Sequence, residues 1–230
     1  MKERITVLTG AGMSAESGIK TFRDADGLWE NHDVMEVASP QGWRKNRELV
    51  LEFYNQRRRQ LLEVEPNAAH RALVELEARY HVHIVTQNVD DLHERAGSTQ
   101  VLHLHGELLK ARSTLDEQLV YAWKKDILPG DQCERGSQLR PHIVWFGEMV
   151  PLLEPAADLV AEANIVLIIG TSMQVYPAAG LVAYARAGTP VYYIDPSPSL
   201  NFELNLAKNL RVIAEKATTG VRKVVDELLA

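Results

Sequence analysis

The densest run of side chains able to do chemistry is Thr86-Gln87-Asn88-Val89-Asp90-Asp91-Leu92-His93, directly after the apolar run Val82–Val85. Amides and a carboxylate at the C-terminal end of a buried strand stand where open parallel sheets bind ligands. Helix capping by Asn88 or Asp90 is the alternative, and it employs one of the three groups. A second cluster, Val101-Leu102-His103-Leu104-His105-Gly106-Glu107, puts His103 and His105 on one face of a strand by its two-residue period. A strand histidine is ordinarily a satisfied core residue. Two at a strand's end could instead be a metal pair, although no third histidine or carboxylate completes a recognisable motif. A third, Gly10-Ala11-Gly12-Met13-Ser14-Ala15, is a G-x-G-x-x-A turn whose glycines let backbone N–H groups approach a pyrophosphate at a helix N-terminus. The common dehydrogenase unit then continues helix, strand and acidic residue within about 30 residues. Here Ser17-Gly18-Ile19-Lys20-Thr21-Phe22-Arg23 follows with no second strand, which disfavours ordinary hydride transfer. Gly170-Thr171-Ser172 adds hydroxyls suited to a phosphate or ribose, or to capping the next turn.

These clusters need strands to hold them. Nearly unbroken β-branched runs occur at Ile5–Leu8, Val82–Val85, Val101–Leu104, Ile143–Trp145, Ile165–Ile169, Val191–Ile194 and Leu210–Ile213, as in strands buried on both faces. Helical patterns alternate with them at Glu48–Glu63, Ala68–Tyr80, Pro155–Ala163, Ala178–Ala187 and Thr218–Leu229. Such alternation predicts an α/β fold, a Rossmann-like doubly wound parallel sheet. Residues of about 19–65 and 107–141 break the alternation and are expected to form a smaller inserted module. The core then comprises about 1–18, 66–106 and 142–230 within one catalytic domain of 1–230.

Within the first insertion, Val50, Phe53, Tyr54, Arg57 and Leu61 share one helix face. A guanidinium on an apolar stripe needs an anionic partner, an internal acid, or exposure at the stripe's edge. The triplet Arg57-Arg58-Arg59 fans out over about 200° of helix and reads as a solvated face. Bulk composition is that of a soluble globular chain, with 230 residues, 46% hydrophobic and 24% charged. A net charge of -6 argues against nucleic acid. No stretch approaches the roughly 20 apolar residues of a membrane span, and the start lacks a signal-peptide pattern, so a cytoplasmic monomer is expected. Cys133, the one cysteine, excludes an internal disulfide and a multi-cysteine zinc site.

Taken together the motifs resemble the sirtuin family. Gly10–Ser14 through Ser17-Gly18-Ile19 and Phe22-Arg23 resembles its cofactor loop, Gln87-Asn88-Val89-Asp90 its Q-N-[IV]-D motif and His105-Gly106 its H-G motif. Ile143-Val144-Trp145-Phe146-Gly147-Glu148 resembles its substrate-flanking segment and Gly170-Thr171-Ser172 its G-T-S, all in family order. The resemblance implies NAD as cofactor and acylated-lysine proteins or peptides as substrates. The acyl oxygen would attack C1′ of the nicotinamide ribose, with His105 as general base on a ribose hydroxyl, releasing nicotinamide, lysine and O-acyl-ADP-ribose. Asn88 would orient the ribose and a water, Asp90 would hold the nicotinamide amide and Gln87 would contact the ribose. Gly10, Ala11, Gly12, Ser14, Thr171 and Ser172 would surround the cofactor, and Phe22 would shield it from water. Val144–Glu148, with Phe146 and Gly147, would pair with the substrate as an added strand.

Tyr54 and Arg57 match the Tyr-x-x-Arg pair of members acting on succinyl- and malonyl-lysine, and Ala38 the small residue of that pocket. The chain departs from the family in lacking its four zinc cysteines, so a zinc-free module held by ordinary packing is expected. It also carries Asp195 where an asparagine usually meets the adenosine ribose; a carboxylate there would repel a 2′-phosphate, favouring NAD over NADP. An ADP-ribosyl transferase or glycohydrolase, a non-catalytic NAD-binding regulator and a metal-dependent hydrolase on His103 and His105 are the competing readings.

Overall fold

The computed structural model describes residues 2–20, 28–29 and 32–230. In chain order its elements are β1 (Arg4–Thr9), β2 (Leu28–Trp29), β3 (His32–Asp33), α1 (Val34–Val37), α2 (Pro40–Lys45), α3 (Arg47–Glu63), α4 (Ala68–Leu76), β4 (His81–Thr86), α5 (Leu92–Ala96), β5 (Val101–His103) and β6 (Gly106–Ser113). There follow β7 (Val120–Ala122), β8 (Leu139–Ile143), α6 (Leu153–Ala161), β9 (Ile165–Ile169), β10 (Val191–Ile194), α7 (Phe202–Leu206), β11 (Leu210–Ile213) and α8 (Ala217–Leu229).

Six strands form a parallel sheet in the order β11-β10-β9-β1-β4-β5. Its central members are buried on both faces, which is why they read as unbroken apolar runs. One face packs Leu73 and Leu76 of α4 and Val221, Val224 and Val225 of α8 against Ile5, Val7 and Ile84. The other packs Ala156 and Val160 of α6 against Leu8, Val166 and Ile168. The strand β1 pairs with β4 on one side and β9 on the other, so the winding reverses there. A doubly wound sheet opens a crevice at that switch point, outside the strands' C-terminal ends.

Several sequence expectations change. The run Ile143–Trp145 is not a strand of the parallel sheet: β8 ends at Ile143 and pairs antiparallel with β6 in a three-stranded sheet ordered β7-β6-β8. Ile143 and Trp145 are apolar because they fill the core beneath this small sheet, with Leu108, Ala111 and Leu139. The turn after β1, expected to open a helix N-terminus, leads into two 3-10 turns, Ala11–Met13 and Ala15–Ser17. Residues Ala178–Tyr184 are likewise 3-10, where Gly180 weakens an α-helix.

The stripe Val50, Phe53, Tyr54 and Leu61 of α3 is buried as its spacing requires. A second row, Leu51, Asn55 and Arg58, is buried too, and it overturns the solvated reading of the arginine triplet. Arg58 is fully enclosed; its Nε donates to the Leu108 carbonyl (3.0 Å) and its Nη1 to Asn55 Oδ1 (2.7 Å). Burial lowers its pKa to about 10. Arg59 alone behaves as a surface residue, pairing with Glu52 and Asp126. The helix thus docks on β6 through a buried charge that satisfies a strand carbonyl. Across the small sheet Arg112 and Arg140 are directly opposite in register, a repulsive placement. Glu148 offsets it by accepting from Arg140 Nη1 (2.7 Å) and Arg112 Nη2 (3.3 Å).

Candidate active site

A cleft of about 750 Å³ runs along the C-terminal edge of the parallel sheet. It gathers Gly10, Ala11, Gly12 and Ser14 from the turn after β1, Gln87, Asn88 and Asp90 from the turn after β4, and His105 from the turn after β5. Gly170, Thr171 and Ser172 enter after β9 and Asp195 after β10. Ala38, Tyr54, Arg57, Val144, Phe146 and Gly147 form the opposite wall. Phe22 and Arg23 lie outside the described residues.

The glycines are spent on backbone contact. Gly12 N donates to the Gly170 carbonyl (2.8 Å), and a Cβ on Gly12 would lie 2.7 Å from Gly170 Cα. Gly170 itself sits at φ 60 with its Cβ direction blocked by Met13 N at 2.3 Å. On this floor Asn88 Nδ2 donates to the Gly10 carbonyl (3.0 Å) and Ser14 Oγ (3.1 Å). Ser14 Oγ then donates to Asp90 Oδ2 (2.9 Å), and Leu92 N donates to Oδ1 (3.2 Å). Asp90 therefore does cap a backbone N–H, while its other oxygen belongs to the network. Burial raises its pKa from 3.8 to about 6, against the opposing pull of the Ser14 and Leu92 bonds.

The two histidines part company. His105 Nδ1 lies 3.1 Å from the Gln87 carbonyl. A carbonyl only accepts, so Nδ1 carries the proton and Nε2 holds the lone pair of the neutral ring. Burial depresses the His105 pKa below 6.5, the Gln87 bond opposing. His103 is buried away from the cleft lining, with Nδ1 3.2 Å from the Asn88 carbonyl and Nε2 2.7 Å from Glu94 Oε1. It is engaged with a carboxylate and a carbonyl, not with His105. Among the described residues no group of three or more histidine, cysteine, aspartate or glutamate side chains could hold a metal.

On the opposite wall Tyr54 is fully buried and its hydroxyl accepts from Trp145 Nε1 (3.0 Å). Burial raises the phenol's pKa, so it stays a neutral donor. Arg57 lies over the Phe53 ring (3.7 Å to the centroid) and its Nη1 donates to the Phe53 carbonyl (2.6 Å). In Val144–Glu148, the segment expected to pair with the substrate, backbone N–H groups are engaged within the chain. Val144 N donates to the His105 carbonyl and Phe146 N to the Ala38 carbonyl, both at 2.9 Å. The chain then turns through Gly147 at φ 87, and Glu148 N donates back to the Trp145 carbonyl (3.0 Å).

Sequence reasoning missed Lys216, which also lines the cleft, and gave Trp145, another lining residue, no role of its own. Lys216 follows β11 at the same C-terminal edge, so the rule that placed Asp195 could have found it. Trp145 stood inside the segment expected to flank the substrate.

Fold and cleft define an α/β protein that binds its ligand at the sheet's switch point, with a neutral histidine facing an amide–carboxylate network. Residues 10–177 match the Sir2 family. The NAD-dependent protein deacylase of Helicobacter pylori (strain ATCC 700392 / 26695) is 59% identical over 227 residues, covering 99% of this chain and 98% of that protein. A solved Sir2 homolog–NAD complex superposes with a TM-score of 0.88 at 38% identity, covering 99% of this chain and 90% of the other. A Sir2 protein bound to acetylated peptide gives a TM-score of 0.81 at 27% identity, with coverages of 98% and 93%. The chain belongs to the Sir2 family.

Asp90 sets a measurable conflict between site and stability. Its folded pKa, about 6, exceeds the ordinary 3.8, so stability is greatest below the unfolded value and declines as pH rises through the folded one. Asp90→Asn should therefore stabilise the protein by about 1–3 kcal/mol at neutral pH, the gain vanishing near about pH 4. Denaturant unfolding of both proteins at the two pH values tests this; a difference that does not vary with pH contradicts it.

Proposed function

We propose that the protein is an NAD-dependent protein-lysine deacylase acting on acetyl-lysine and, through Tyr54 and Arg57, on succinyl- and malonyl-lysine. The observation that carries the reading is His105 in the cleft with Nδ1 tied to the Gln87 carbonyl, which leaves Nε2 as a base near neutral pH. The names of the Helicobacter pylori relative and of the NAD and acetylated-peptide complexes support it.

The cleft fits a dinucleotide in its donor set: hydroxyls and backbone groups at Ser14 and Gly170–Ser172, amides at Gln87 and Asn88, and a carboxylate at Asp195 for ribose hydroxyls. NAD, when bound, would supply a ribose carbon that gives up nicotinamide and a hydroxyl that takes the acyl group, and one water would complete the release of free lysine and O-acyl-ADP-ribose. His105 Nε2 removes the proton from the attacking hydroxyl. Asn88, fixed by Gly10 and Ser14, orients the ribose and a water, and Gln87 contacts the ribose. Asp90 accepts from or donates to the nicotinamide amide. Val144, Phe146 and Gly147, which line the cleft, would flank the substrate peptide.

The acyl pocket is read at Ala38, Tyr54 and Arg57, where a small side chain leaves room and a hydroxyl and guanidinium meet a carboxylate. Structural zinc has no part in this reading: Cys133 is buried with its Sγ donating to Ser113 Oγ (3.3 Å), and packing with Leu139 supports the small sheet. The protein acts as one catalytic unit, a cytoplasmic monomer without nucleic-acid or membrane partners; no described helix is long and apolar enough to cross a membrane.

Two variants test the assignment with matched acetyl and succinyl peptides. His105→Ala should lower turnover on both by roughly 10²–10⁴, the worth of a general base, with NAD binding retained; near-normal turnover removes His105 from the reaction. Arg57→Met should cut kcat/KM for the succinyl peptide by roughly 10- to 150-fold, the worth of a charge-assisted bond, and leave the acetyl peptide little changed. Parallel loss on both peptides, together with a lower Tm, would mean that Arg57 only braces α3.

A further inference from the structure

The chemistry proposed above uses His105 and gives no task to the other histidine of the pair or to the carboxylate beside it. Both ring nitrogens of His103 face acceptors, the Asn88 carbonyl at 3.2 Å and Glu94 Oε1 at 2.7 Å. A peptide carbonyl cannot donate, and neither can an ionised carboxylate. A neutral imidazole would satisfy one and turn its lone pair against the other, at real cost in a residue that is only 8% exposed. Only the imidazolium donates to both.

The spacing explains what this accomplishes. The turn between β4 and α5 must aim Gln87, Asn88 and Asp90 into the cleft with no regular structure of its own. Two histidines at i and i+2 reach across from the end of β5, His105 to the Gln87 carbonyl and His103 to the Asn88 carbonyl. Successive peptide planes are thereby pinned from one side. Glu94 lies in α5, so the ion pair joins strand, turn and helix.

We propose that His103 and Glu94 form a buried imidazolium–carboxylate pair that holds the Asn88 carbonyl, making His103 a positioning residue for the turn that carries Asn88. This rests on the reading of Asn88 and His105 given above. The charged and titratable neighbours agree with it. Burial pulls the His103 pKa down, but the Glu94 bond and charge, with Glu107, hold it above 6.5. Burial lowers the His93 pKa and the His103 charge adds to that, while at Asp90 burial raises the pKa and the His103 charge opposes it. Glu94 is held low by His103, with Lys110 adding to the effect, against its own burial.

The test combines kinetics of the full chain, with NAD and an acetyl-lysine peptide, and nitrogen NMR of the histidine rings. His103→Leu should lower kcat about 10-fold, the low end for a charge-assisted bond, with the peptide KM unchanged. His103→Asn places an amide N–H where Nδ1–H stood and should recover most of that loss, although neither variant keeps the ion pair. In the wild type both His103 nitrogens should be protonated at about pH 7.5, and in Glu94→Gln the ring should become neutral. Wild-type kcat in His103→Leu overturns the proposal, as does a His103→Asn that is no better than His103→Leu, which would mean packing alone. A neutral His103 in the wild type also overturns it. Undiminished turnover in His105→Ala would instead sink the reading of the site, whereas an inactive His105→Ala beside an unimpaired His103→Leu sinks this inference alone.

Discussion

Two backbones touch where β1 and β9 end, and the cleft is built upward from that contact. Gly12 and Gly170 approach so closely that a single Cβ on either would collide with main-chain atoms. No side chain can relieve such a collision, so the contact dictates residue type more firmly than any polar role could. From it the Gly10 carbonyl is placed to receive Asn88, and Gln87 N bonds the Thr9 carbonyl (2.9 Å). The Gln87 carbonyl is then in position to hold His105. Each step runs through a backbone carbonyl, so main-chain groups hold the Asn88 and His105 side chains in place.

Charge is handled differently in the two halves of the molecule. Beneath the small sheet, Arg58, Arg112 and Arg140 each find carbonyl or carboxylate partners, and the result is structure. Along the cleft, Asp90 is buried among neutral donors and keeps an unusually tight hold on its proton. That arrangement costs stability at neutral pH, and such strain is characteristic of a site under functional constraint. His105 shows the same logic with opposite sign, since burial there favours the uncharged ring that a base requires.

Much of this was legible in the residues, for reasons that differ by element. The central strands of the parallel sheet declared themselves because burial on both faces leaves few polar positions, and G-x-G followed by no second strand disfavoured the dehydrogenase pattern. The helical stripe from Val50 to Leu61 foretold which face of α3 is buried. It hid Arg58, because an arginine among arginines reads as surface until Leu108 and Asn55 are seen to receive it. Ile143–Trp145 misled because apolar runs report burial but not which core does the burying. The His-Gly motif singled out His105, but strand period gives the two histidines a shared face and says nothing of the carbonyls that follow one another at Gln87 and Asn88.

The central claim is that His105 is a neutral base whose Nδ1–H is committed to the Gln87 carbonyl. Nitrogen NMR of the His105 ring at neutral pH addresses it most directly. The account predicts a neutral ring protonated on Nδ1 alone, titrating below the ordinary histidine value of 6.5 as burial requires. A ring protonated on Nε2, or an imidazolium persisting at neutral pH, would contradict it.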